Sequence, residues 1–152
     1  MKLSQVAAQL YTVRDYCGTA VDLAITAKKI RAIGYTAVQL SGLGPIADGE
    51  IVTIMQGEGL AICATHEPAQ EILDRPEKAI DRLHRLGCKL TAYPYPSGVD
   101  FAKAEHVATL VRKLDAAGAK LRSAGLTLGY HNHAVEFVPF EVPEHLLAGT
   151  GH

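Results

Sequence analysis

Four times along this chain a segment with helix-spaced apolar residues runs into a glycine, and a short apolar stretch follows at once. The first passes from Ile30 and Ile33 through Gly34 into residues 35–40, and the second through Gly57 and Gly59 into 60–66. The third passes from Leu83 and Leu86 through Gly87 into 88–93, and the fourth from Leu121 through Gly125 into 126–131. Glycine takes the left-handed conformation that closes a helix, and an extended strand can follow it directly. Val107, Leu110, Val111, Leu114, Ala117 and Leu121 follow three- and four-residue steps, which gives the last helix one apolar stripe. Pro76, ahead of Glu77, has the place of a first-turn proline. With a first strand over about residues 6–11, the order becomes βαβαβαβαβ. Strands alternating with helices long enough to cross over predict an α/β chain with a parallel sheet and right-handed connections.

Length then bounds the architecture. A closed eight-stranded barrel needs roughly 250 residues, about 30 per strand-helix unit, and this chain has 152. It therefore has room for about five units. Fifteen Lys and Arg against sixteen Asp and Glu leave a net charge of −1, with no basic excess to neutralise a phosphate backbone, so nucleic acid is not expected as the main partner. No apolar run approaches the ~20 residues of a membrane span, and residues 1–5 lack a signal-peptide core. Cys17, Cys63 and Cys88 are odd in number and form no CxxC pair. That usage points to a reducing cytoplasm, with Cys63 and Cys88 as buried thiols.

In parallel α/β folds ligands bind at the carboxyl ends of the strands. Reading those ends gives Gln9, Tyr11 and Arg14, then Gln39 and Ser41, then His66 and Glu67, then Tyr93 and Tyr95, and last His131, Asn132 and His133. Strand starts, by contrast, are apolar. On strand five Leu126, Leu128 and Tyr130 share the face expected toward the helices, and Thr127, Gly129, His131 and His133 share the other. Two imidazoles at i and i+2 can reach one ion or one polyol, and Glu136 follows three residues later, needing a bulge or turn to join them. Imidazole with carboxylate suits zinc, manganese or iron(II) better than calcium. Tyr11 and Tyr93 read as cleft walls, and Arg14 as a surface residue or a clamp for phosphate or carboxylate.

The segments 8–15, 34–40 and the His66 strand end resemble the xylose-isomerase-like TIM-barrel superfamily. Tyr130-His131-Asn132-His133-Ala134-Val135-Glu136-Phe137 is similar to the HNHxxEF segment of its sugar phosphate isomerase/epimerase group. The resemblance runs over about residues 3–140. It implies a barrel that binds a divalent metal, manganese or zinc, and moves a proton beside a carbonyl of a sugar or cyclitol. By position, Glu136 and His131 would hold the metal. Glu136 and His133 would serve the proton transfer, and Gln9, Tyr11, His66 and Asn132 would contact substrate.

The family draws its other metal ligands from strands six to eight, and this chain stops soon after strand five. The expectation is thus a partial barrel over residues 1–140, five parallel strands in sequential order with helices outside, followed by an atypical tail over 141–152. Activity in that truncated form is not expected. Its open edge would expose strand hydrogen-bonding groups and favour self-association. The rival architecture is a flavodoxin-like binding module without catalysis, whose strand order would reverse direction.

Overall fold

The computed structural model describes residues 5–137. The first strand, β1 (Ala8–Gln9), passes at once into a 3₁₀ segment (Leu10–Tyr16), and α1 (Ala20–Ile33) follows. Next come β2 (Ala37–Leu40), α2 (Asp48–Gly57), β3 (Ala61–His66), α3 (Ala69–Asp74) and α4 (Pro76–Leu86). The chain continues through β4 (Leu90–Tyr93), α5 (Ala104–Ser123) and β5 (Thr127–Tyr130) into a 3₁₀ turn (Ala134–Phe137). All strand pairs are parallel, and the sheet order is β1-β2-β3-β4-β5. That sequential order is the expected partial barrel, and it is not the reversing order of a flavodoxin-like sheet. The expected tail, 141–152, lies outside the described residues.

The glycine junctions account for the rhythm. Gly34 closes α1 at φ 113 and Gly87 closes α4 at φ 63, both in the left-handed region, while Gly59 and Gly125 follow α2 and α5 with positive φ as well. Pro76 opens α4. At the other end of α1, Thr19 Oγ1 accepts from the Asp22 amide at 3.2 Å and donates to the Asp22 carboxylate at 2.7 Å, a reciprocal cap. The core lies between sheet and helices. Val38, Leu40, Leu83, Leu121, Ile51 and Met55 are buried there, with Ile62 and Leu128 packed against them.

Several expectations change. The first strand is two residues long, because Leu10, Val13 and Cys17 turn onto the core at three- and four-residue steps instead of alternating. An extra short helix, α3, precedes Pro76. Val111 is exposed, while Leu110, Ala117 and Leu121 carry the buried stripe of α5. Cys63 is exposed and not buried: it is the extra residue where the β2–β3 register shifts, between Ile62 opposite Val38 and Ala64 opposite Gln39, and its Sγ donates to Val38 O at 3.2 Å. Cys88 is buried as expected. Burial raises the thiol pKa at all three cysteines, which leaves them poor nucleophiles at neutral pH.

Candidate functional site

At the carboxyl ends of the strands a cleft of about 260 Å³ is lined by Gln9, Tyr11, His66, Pro94, Tyr95, His131 and His133. These come from the ends of β1, β3, β4 and β5, so the parallel topology gathers residues up to 124 positions apart (133 − 9) into one lining. Gln9 is in register with Gln39, and its Nε2 donates to Gln39 Oε1 at 3.2 Å. The ladder between β4 and β5 runs on into the bond from the His131 amide to Tyr93 O, 3.1 Å. Beyond it the chain leaves the sheet and turns through Ala134–Phe137.

Three imidazoles meet in this cleft. The His66 and His131 ring centroids are 4.9 Å apart, edge to face, and those of His131 and His133 are 4.8 Å apart. Tyr95 sets an edge against His133 at 4.9 Å. His66 Nε2 and His133 Nδ1 are both buried without a hydrogen-bond partner among the described residues. Burial lowers the His66 pKa, and the neighbouring His131 and His133 rings push it the same way, so the ring is neutral at pH 7. A neutral imidazole with a free ring nitrogen can accept or donate a hydrogen bond to a hydroxyl and can carry a proton.

Glu136 takes the turn its position required, but its carboxylate is already engaged. Oε1 accepts from the Tyr130 hydroxyl at 2.8 Å and Oε2 from the His133 amide at 2.7 Å. Desolvation works to raise the Glu136 pKa, yet these two donors outweigh it and hold the carboxyl below its usual range. Asn132, between the two histidines, is exposed and does not line the cleft. Tyr93 is not the cleft wall. It is 1% exposed and stacks on Tyr130 at 5.6 Å, and Tyr95 walls the cleft in its place. Ser41 is buried and also absent from the lining.

Among the described residues no group of three or more His, Cys, Asp or Glu side chains could hold a metal ion. The imidazoles have the right donor chemistry, but the one carboxylate beside them is committed to Tyr130 and His133. Residues 5–137 thus do not by themselves fit the manganese or zinc centre implied above, and no chemical step is derived through it.

Beside the cleft lies a charge cluster that the sequence did not reveal. Glu67, 2% exposed, receives Arg82 Nη1 at 2.7 and 3.0 Å, and Arg82 Nε donates to Asp48 at 2.9 Å. Arg85 Nε reaches the other Asp48 oxygen at 2.9 Å. The Glu67 amide also donates to Thr91 Oγ1 at 3.4 Å. The end of β3 is thereby fixed from the helix side while His66 faces the cleft. A larger cavity of about 480 Å³, between α3, the loop after β4 and α5, gathers no comparable chemistry: its Lys113 is paired with Asp74, and its His106 Nδ1 accepts from the Asp100 amide.

Fold and cleft together define the class: sequential parallel strands with helices outside, and polar residues gathered at the strand ends, as in part of a (β/α) barrel. Solved structures agree on the fold. Two structures of a sugar phosphate isomerase/epimerase from Parabacteroides distasonis superpose with TM-scores of 0.73 and 0.67, at 20% and 21% identity. They cover 93% and 91% of this chain, which spans 59% and 57% of theirs. A xylose isomerase-like TIM barrel protein from Mycobacterium smegmatis, in complex with magnesium, superposes with a TM-score of 0.56 at 16% identity, over 94% of this chain and 59% of its own. No protein-family model and no curated protein matches the chain. No helix among the described residues is long and apolar enough to cross a membrane.

Proposed function

We propose that this chain acts at its strand-end cleft on a small polyhydroxylated carbonyl compound, a sugar, sugar phosphate or cyclitol, moving a proton between neighbouring carbons as an isomerase or epimerase does. The observation that carries this reading is the pair of buried, unpartnered ring nitrogens, His66 Nε2 and His133 Nδ1, in a cleft otherwise lined by hydrogen-bonding side chains. A buried polar atom without a partner costs about 1–3 kcal/mol. A substrate hydroxyl or a transferring proton would relieve that cost. The names of the structural neighbours point to the same substrate class.

In this reading His133 takes and returns the proton, and Glu136, one turn on, holds the His133 backbone in place through its amide. Gln9, Tyr11 and His66 receive substrate hydroxyls, with Asn132 at the rim. By resemblance His131 and Glu136 would hold a divalent metal, manganese or zinc; with Glu136 engaged by Tyr130 and the His133 amide, no step of this reading runs through it. The setting is a cytoplasm, and a second copy pairing at the sheet edge belongs to the same proposal.

Proton transfer next to a carbonyl leaves a label. Aldoses, ketoses and their phosphates incubated with the protein in deuterium oxide should exchange the C–H beside the carbonyl, read by NMR. His133→Asn should reduce that exchange by about 10²-fold or more. Unchanged exchange in the variant, or no binding of any such compound to the wild type, would overturn the reading.

A further inference from the structure

The cleft lining includes no arginine, lysine or carboxylate. A fixed charge nevertheless stands directly on its wall. The Arg14 guanidinium lies over the Tyr11 ring, 4.5 Å from the centroid, and Nη1 donates to Tyr11 O at 3.0 Å. The two residues stand three apart in the 3₁₀ segment Leu10–Tyr16, on either side of a kink at Val13, so the stack is local and needs no distant partner to form. From the other side the turn after β2 closes on the pair. Gly42 has φ +69, and a Cβ there would lie 2.9 Å from Tyr11 Cδ2 and 3.0 Å from Arg14 Cβ. Only a glycine lets the backbone pass so close with that φ.

Arg14 differs from the arginines near the other side of the same strand ends. Arg82 is matched to Glu67 and Asp48, Arg85 to Asp48, and Arg75 to Glu71. Among the described residues no carboxylate pairs with Arg14, and its single hydrogen bond uses one of five N–H donors. The guanidinium is thus held by ring and carbonyl yet keeps its charge and most of its donor fork free. A cation already held in place loses less freedom when it binds an oxyanion, and a planar fork matches phosphate and carboxylate.

We propose that Arg14 is the specificity-determining residue of the cleft, receiving the oxyanion of a sugar that carries a phosphate or carboxylate while the histidines and Gln9 meet its hydroxyls. This rests on the reading of the cleft as a sugar site and adds the charge of the substrate. Titration calorimetry with hexose phosphates, the matching uronic acids and the matching neutral hexoses tests it, in wild type, Arg14→Gln and Arg14→Lys. The wild type should bind a charged sugar at least about tenfold more tightly than its neutral counterpart. Arg14→Gln should erase that preference, with at most a small loss of neutral affinity through the Tyr11 ring it stacks on; Arg14→Lys should keep part of it. Preference for the phosphate or for the uronate identifies which oxyanion is read. Equal affinity for charged and neutral sugars in the wild type, or equal losses for both in Arg14→Gln, overturns the role of Arg14 and leaves the sugar site standing. Failure of every sugar to bind overturns the sugar site itself and Arg14's role with it.

Discussion

At the end of β3 two consecutive polar side chains leave on opposite faces and meet opposite surroundings. Glu67 enters the helix layer, where Arg82 grips both carboxylate oxygens and Asp48 completes the charge balance. His66 enters the cleft, where its neighbours are two further imidazoles and its Nε2 has no partner among the described residues. Both are polar groups out of bulk water at the same level of the fold. On one face every charge is answered, though Thr65 Oγ1 there has no partner among the described residues, and on the other two imidazole nitrogens are left over. A satisfied network holds structure together, whereas an unsatisfied one is tolerated where a ligand can complete it.

The largest effect should come from breaking the answered side. Arg82→Met leaves the Glu67 carboxylate buried and alone, and removing one partner of such a pair costs about 3–5 kcal/mol. Urea unfolding would read this as a fall in midpoint without a change in slope. Arg85 pairs with the same Asp48 but its side chain is 57% exposed, so Arg85→Ala should cost no more than about 1 kcal/mol. The double variant Glu67→Leu with Arg82→Met should recover most of the loss, because an apolar pair of similar volume replaces the charges. If the two single arginine variants cost the same, the contrast between the faces is wrong.

The contrast itself was only half legible in the sequence. Helix-to-strand junctions were legible because each needs one glycine and an apolar run, both local features. The cleft end followed from them, since parallel strands put all their carboxyl ends on one side. His66, His131 and His133 were therefore readable as neighbours. The Glu67–Arg82–Asp48 cluster was not, because its members stand 15 and 34 residues apart and no spacing rule joins them. Tyr93 reads as a cleft wall in the sequence because a strand end fixes a side chain's height before its face; the ladder stops at Tyr93 with that ring packed beside Ile72, Leu110 and Ala117 of the helix layer. The early 3₁₀ turn left a usable signal in Leu10, Val13 and Cys17, whose steps of three and four do not fit a strand.

The cleft face should respond to pH where the clamp does not. Burial and the adjacent rings lower the folded-state pKa of His66 below its ordinary value near 6.5. Below that value the unfolded chain binds the proton more readily than the folded one, so stability rises with pH. His66 thus imposes no penalty above about pH 6.5. The penalty grows as pH falls from there and is complete once pH is below the folded value. Unfolding midpoints measured from pH 7 down to 5 should decline in the wild type and decline less in His66→Leu. At neutral pH the same variant should be as stable as the wild type or slightly more so, since it removes a buried unpartnered nitrogen. A loss of stability comparable to Arg82→Met would mean that His66 is structural after all.

Glu136 is where the two kinds of face meet, and its substitution should have the smallest effect on stability. Its carboxylate caps the turn through the His133 amide and also receives the Tyr130 hydroxyl, at the exposed end of β5. Burial and the Glu136 carboxylate raise the Tyr130 phenol well above its ordinary range. Glu136→Gln removes that charge while keeping one acceptor oxygen. Tyr130 should then titrate lower, visible in an ultraviolet phenolate titration, while the unfolding free energy falls by less than about 1 kcal/mol, as for other exposed charge-assisted bonds. The wild-type contribution of Glu136 is present above the ordinary carboxyl pKa and is lost as pH falls through its lowered folded value, so the variant should flatten only the acid limb of the stability curve. Deuterium exchange at the substrate decides what this carboxylate is for. A turn cap alone leaves the exchange of the Gln variant nearly intact, because the His133 amide still finds an acceptor. A carboxylate that itself moves the proton loses about 10²-fold or more, and Glu136 would then belong with His66 on the unanswered side.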